Sequence, residues 1–207
     1  MAESTATVVN GKLIASRVID KVSSKIEKGA LNKVNAIIIH QTESDNVASS
    51  LSSYSSGVNG AHFLIDKDGT ILQTARINQK CWHVGNIKSR CGELRICSPE
   101  DLKEINSILF KKGEAYEVRV RNLGQHEAKK PYPDRYPTNE DALGIELVGR
   151  FDAKSGSYDM VTKPQNESLV WLLSVLESSL SLTNDDIYRH PQVSYKQSSE
   201  AESAKWR

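Results

Sequence analysis

Little in this chain points to a membrane, a nucleic acid or a disulfide-built scaffold. No apolar run approaches the roughly 20 residues that a membrane-spanning helix needs. Neither sign of charge is in excess, with 27 Lys+Arg against 26 Asp+Glu. No basic stripe stands out, so nucleic acid is not a favoured partner. Cysteine is scarce: Cys81, Cys91 and Cys97 lack the paired Cys or Cys/His sets of a structural zinc site. Cys91 and Cys97 either remain free thiols or bridge a small loop, and a bridge requires a compartment more oxidising than the cytosol. The opening residues, Met1 to Thr7, show no basic-then-apolar pattern, so no Sec-type signal peptide is expected. Synthesis in the cytoplasm is expected, followed by work there or by export along a route that needs no such signal.

What is present suffices for one domain with a real core, at 207 residues. Residues up to about 12 read as a loose arm. Ile14, Val18, Ile19, Val22 and Ile26 recur at helical spacing and predict a helix near 14–27, stopped by Gly29. Residues 35–40 read as a buried strand. The Ser-rich stretch 47–56 suits a short helix or a loop. Residues 61–66 and 70–74 form a hairpin across Asp68-Gly69, and 78–84 add a further strand. Ser98-Pro99-Glu100-Asp101 opens a helix with a capping Ser, Pro in the first turn and acids at the positive end. Residues 111–141, charged and proline-rich, read as an inserted helix and a long surface loop. A strand at 142–149 and an amphipathic helix at 163–182 follow. Helices mixed with hairpin strands indicate an α/β or α+β arrangement around one sheet.

The residues able to carry chemistry are few. His40 ends the apolar run Ala36-Ile37-Ile38-Ile39, and His190 follows the last helix. They are too far apart for a local zinc finger; a shared metal requires the fold to bring a strand end and a loop together. A catalytic zinc needs three protein ligands and an open position. Glu200, ten residues past His190, offers a carboxylate; Ser198, eight past it, offers only a neutral hydroxyl. In strand 142–149, Leu143, Ile145 and Leu147 face one side and Ala142, Gly144, Glu146 and Val148 the other. Glu146 is therefore a lone carboxylate, either solvated on an edge or held in a cleft beside the space left by Gly144.

Five segments in order resemble the N-acetylmuramoyl-L-alanine amidase family of the phage-lysozyme and peptidoglycan-recognition-protein type, over most of residues 34–206. Ile37-Ile38-Ile39-His40-Gln41-Thr42 resembles the first-ligand strand, and residues 60–70 the central hairpin. Cys81-Trp82-His83-Val84-Gly85 resembles the segment bordering the cleft. Residues 142–149 resemble the strand of the catalytic glutamate, and the His190 segment the second-ligand loop. The resemblance implies an α/β fold with a single mixed central β-sheet flanked by helices. Residues 1–30 would form an arm and helix packed on a catalytic domain at 31–207, with an insert at about 98–141 shaping a cleft wall.

The resemblance also implies zinc held by His40, His190 and a third ligand. Ten-residue spacing points to Glu200; eight-residue spacing points to Ser198, with Lys196 then matching the family's lysine. Serine there marks non-catalytic recognition proteins, and Glu200 is the preferred ligand because a carboxylate substitutes for Asp. Glu146 and Lys196 are the implied catalytic residues. His62, Trp82 and His83 are the implied substrate-binding or supporting residues. The implied substrate is peptidoglycan, cut at the bond between N-acetylmuramic acid and L-alanine, with a zinc-held water acidified to a pKa of about 7. The insert, the Cys91–Cys97 segment and the chain end look most like effectors of type VI secretion. Such a protein is an antibacterial toxin acting in a rival's periplasm and restrained by an immunity protein. A peptidoglycan-binding module without hydrolysis and a phage endolysin are the alternatives.

Overall fold

The chain enters as strands rather than as the helix that its 14–27 spacing predicts. In the computed structural model, which describes residues 6–206, β1 (Thr7–Val9) and β2 (Lys12–Ile14) pair antiparallel around Asn10-Gly11. Both turn residues have positive φ, 51° and 77°, the geometry that a tight two-residue hairpin demands and Asn-Gly supplies. The expected loose arm is thus ordered from at least Ala6. β3 (Val18–Asp20) then joins the central sheet beside a later strand. The four-residue spacing of Ile14, Val18, Val22 and Ile26 misleads because these positions share no buried face. Ile14 is 52% exposed while Ile26 is fully buried, and β-branched side chains favour extended backbone.

β4 (Ala36–Gln41) is buried along its whole length. It is followed by α1 (Val47–Tyr54), capped by Asn46, and by the hairpin β5 (Phe63–Ile65) and β6 (Ile71–Gln73). The segment expected to form a strand at 78–84 is irregular, with one bridge from Gln79 to Ala30. Its His83 and Val84 amides donate instead to the side chain of Asn139. A short helix, α2 (Arg90–Leu94), precedes α3 (Pro99–Leu109), capped by Ser98 as expected, and α4 (Tyr116–Glu127). Cys91 and Cys97 are bonded, closing a loop between α2 and α3.

β7 (Ala142–Leu147) returns the chain to the sheet. β8 (Phe151–Asp152) and β9 (Ser157–Tyr158) form a small hairpin. α5 (Lys163–Leu180) opens with a full capping box at Thr162 and Gln165. β10 (Ile187–Arg189) and α6 (His190–Val193) follow. The six-stranded sheet runs β10-β4-β7-β5-β6-β3; β5 and β6 pair antiparallel and the other neighbours are parallel.

Two registers build the site. Pairing of β4 with β7 sets His40 opposite Glu146, and pairing of β10 with β4 sets Arg189 opposite Ile39, so His190 emerges next to His40. Alternation does the rest. Ile37, Ile39, Leu143, Ile145 and Leu147 pack under Leu169, Leu172, Leu173 and Leu176 of α5. The opposite face carries Ile38 and Ala142, and with them His40, Gly144 and Glu146. The face covered by α5 is the core; the other becomes the floor of a cleft.

Candidate metal centre and cleft

His40, His190 and Glu200 are buried, at 2%, 3% and 4% exposure, and a donor atom from each lies within 4.8 Å of the others. His40 Nδ1 is 2.9 Å from His190 Nδ1. Glu200 Oε1 is 2.9 Å from His190 Nδ1 and 3.5 Å from His40 Nδ1. The surroundings fix which nitrogens carry protons. His190 Nε2–H donates to the Val84 carbonyl at 2.9 Å, which leaves Nδ1 as an acceptor. His83 Nε2–H donates to the Ala142 carbonyl at 3.3 Å, so His83 Nδ1 accepts from His40 Nε2–H at 3.0 Å. His40 Nδ1 is thereby left with its lone pair too. Two imidazole lone pairs and a carboxylate oxygen converge with no hydrogen-bond donor between them. The three groups could together hold a metal ion, and the donor set suits zinc.

Electrostatics agree. Burial, followed by the His190 charge, lowers the His40 pKa to about 4 and disfavours its protonated form. Burial would raise Glu200, but the His190 and His40 rings set against it outweigh that and hold the carboxyl at about 2. Glu200 reaches the site because the chain end is tied down. Ala201 N–H donates to the Gln41 side chain, and Arg189 donates to the carbonyls of Ala201 and Ala204. Ser198 is exposed and lies outside the cleft lining.

Glu146 stands beside this cluster with its Oε2 buried and unpartnered among the described residues. Burial, then the negative charge of Glu200, pushes its pKa up to about 8, against the pull of Lys196. The cleft, about 720 Å³, is lined by these residues together with Trp82, His83, Lys196 and Tyr158. His83 lies over Gly144; a Cβ there would meet His83 Nδ1 at 2.8 Å, so the space left by the glycine is filled by a ring.

Two expectations change. His62 does not line the cleft. It is fully buried, its Nε2–H donates to the Gln79 carbonyl at 2.8 Å, and its Nδ1 accepts the Gly144 amide at 3.0 Å. With both nitrogens used, it has nothing to offer a substrate; it joins β7 to the 79–83 segment and packs edge-on against His83. The insert at 98–141 contributes only Asn139 to the lining; α3 and α4 pack against each other. The wall is built instead by Ser49, Ser50, Ser53 and Tyr54 of α1 and by residues 42–44. The serine-rich run carried that signal, since Ser49, Ser50 and Ser53 share a helical face.

Three converging donors and a neighbouring carboxyl, laid on one face of a mixed sheet, are an arrangement that metal-assisted hydrolysis could use. Comparison narrows the class. The profile of the N-acetylmuramoyl-L-alanine amidase family matches residues 30–205, and the chain belongs to that family. Among solved structures it is similar to the N-acetylmuramoyl-L-alanine amidase LysC from Clostridium intestinale, at 20% identity and a TM-score of 0.51, covering 88% of this chain and 87% of that one. It is also similar to a selenomethionine derivative of AmpD, at 14% identity and a TM-score of 0.59, covering 97% and 95%. A third neighbour is AmpDh3 from Pseudomonas aeruginosa in complex with anhydromuramic pentapeptide, at 16% identity and a TM-score of 0.50, covering 77% of this chain and 51% of that one. No curated protein sequence matches the chain. At these identities the structural neighbours establish the fold: a mixed six-stranded sheet flanked by helices.

Proposed function

We propose that the chain is a zinc-dependent amidase that cuts the bond between the lactyl group of N-acetylmuramic acid and the L-alanine of the stem peptide. The observation that carries this reading is the convergence of His40 Nδ1, His190 Nδ1 and Glu200 Oε1, with both imidazole tautomers set from behind, next to Glu146. His40, His190 and Glu200 hold the metal. When bound, zinc acidifies a water and polarises the scissile carbonyl. Glu146 takes a proton from the attacking water and passes it to the leaving amine of alanine. Lys196, on the cleft wall, donates to the carbonyl oxygen as negative charge builds there. Trp82, half exposed at the rim, offers an aromatic face to the glycan or the peptide.

The biological setting we infer is that of an antibacterial effector of type VI secretion, acting in a target periplasm and restrained by an immunity protein. The Cys91–Cys97 bond supports an oxidising destination. A phage endolysin would use the same chemistry. The ligand assignment is tested by zinc occupancy of Glu200→Ala and Ser198→Ala. Glu200→Ala should lose the metal and Ser198→Ala should keep it; loss confined to the serine variant overturns the assignment.

A further inference from the structure

Tyr54, the last residue of α1, has no place in the chemistry above, yet it is built into the cleft. Its ring packs with Ile26, Ala75 and Cys81. The side chain is 8% exposed and contributes to the cleft lining. Its hydroxyl has no hydrogen-bond partner among the described residues. Folded proteins rarely leave a buried phenol oxygen unpaired, and here a second orphan, Glu146 Oε2, lines the same cleft. The two differ in kind. A phenol donates through its O–H, whereas a carboxyl accepts through the oxygen that carries no proton. An amide group needs such a pair, with its carbonyl oxygen taking a donor and its N–H taking an acceptor.

Resting on the amidase reading, we propose that Tyr54 is a substrate-contacting residue whose O–H donates to a carbonyl oxygen of the muramoyl peptide in the cleft. The hydroxyl is fit for that task because burial, and then the charge of Glu146, keep it protonated well above the ordinary tyrosine range. The Ala61 amide N–H points at the phenol oxygen as a donor, which leaves the O–H proton itself without an acceptor among the described residues. Entry of α1 into the cleft wall at Ser49, Ser50 and Ser53 holds the ring in place from the same helix face.

Tyr54→Phe keeps the packing and removes only the hydroxyl. With a soluble muramoyl peptide as substrate and zinc-loaded protein, kcat/KM is expected to fall by about tenfold to a hundredfold. Zinc content and Tm should stay close to wild-type values, because no acceptor among the described residues takes the hydroxyl proton in the substrate-free protein. The pH profile should keep its limbs. A kcat/KM within about twofold of an active wild type overturns the assignment alone. A loss that follows a lowered Tm or lost zinc overturns it too, by making Tyr54 structural. A displaced acidic limb would place the hydroxyl on Glu146 instead of the substrate and would equally overturn it. A wild type that releases no product defeats the amidase reading itself, which separates the two failures.

Discussion

Replacing Glu146 by glutamine should spare the metal-free protein a loss of stability that the wild type suffers as pH rises, and the structure sets the size of the effect. In the unfolded chain a glutamate loses its proton near the ordinary 4.5, whereas burial and Glu200 hold the native group to about 8. Between these values the folded state binds the extra proton, so stability falls with rising pH. The contribution is complete below about 4.5 and gone by about 8. The interval corresponds to roughly 5 kcal/mol as a ceiling. Glu146 opens on the cleft and is not sealed from water, so screening leaves about 2 kcal/mol. Glutamine is neutral throughout and lacks this dependence. Urea denaturation with chelator present, run on both proteins from about pH 5 to about pH 8.5, isolates the term, since His40, His190 and Glu200 are common to both. The Glu146→Gln advantage should grow across that range. Parallel curves would refute the claim that Glu146 is a desolvated carboxyl beside Glu200. The same variant should retain zinc and lose turnover.

His83→Ala removes the acceptor that holds the His40 Nε2 proton, so zinc affinity should fall by about tenfold to a hundredfold, measured by competition with a chelating dye; unchanged affinity would show that His40 needs no such support. Cys91→Ser opens the short loop closed by the disulfide and should cost about 2 kcal/mol, read as a lower urea midpoint. Thiol titration should find one reactive cysteine in the unfolded oxidised protein, the free Cys81, and three after reduction.

The parts of the fold legible in the sequence are those where local chemistry and tertiary context agree. Leu143, Ile145 and Leu147 alternate with Gly144 and Glu146, and the sheet honours both faces. Asp68-Gly69 turns the hairpin, and Ser98-Pro99 starts a helix, because each has few other conformations available. The helix expected at 14–27 fails because isoleucine and valine spaced by four also serve separate short strands. Asn10-Gly11 was the better local signal there. His40, His190 and Glu200 follow from residue type and order, but their convergence depends on two strand registers that no local pattern encodes. The substrate-binding reading of His62 fails because its partners, the Gln79 carbonyl and the Gly144 amide, are backbone groups distant in sequence. Tyr54 was overlooked for the same reason: its significance lies in an unpaired hydroxyl at a cleft formed by other elements.

The most direct test of the central claim joins metal and chemistry in one preparation: zinc per chain, and soluble stem peptide with a free N-terminal alanine released from purified sacculi. The account predicts about one zinc per chain, set by its single His, His, Glu cluster among the described residues, and release that stops on chelation and returns with zinc. A protein that binds sacculi without zinc and frees no alanine terminus would contradict it.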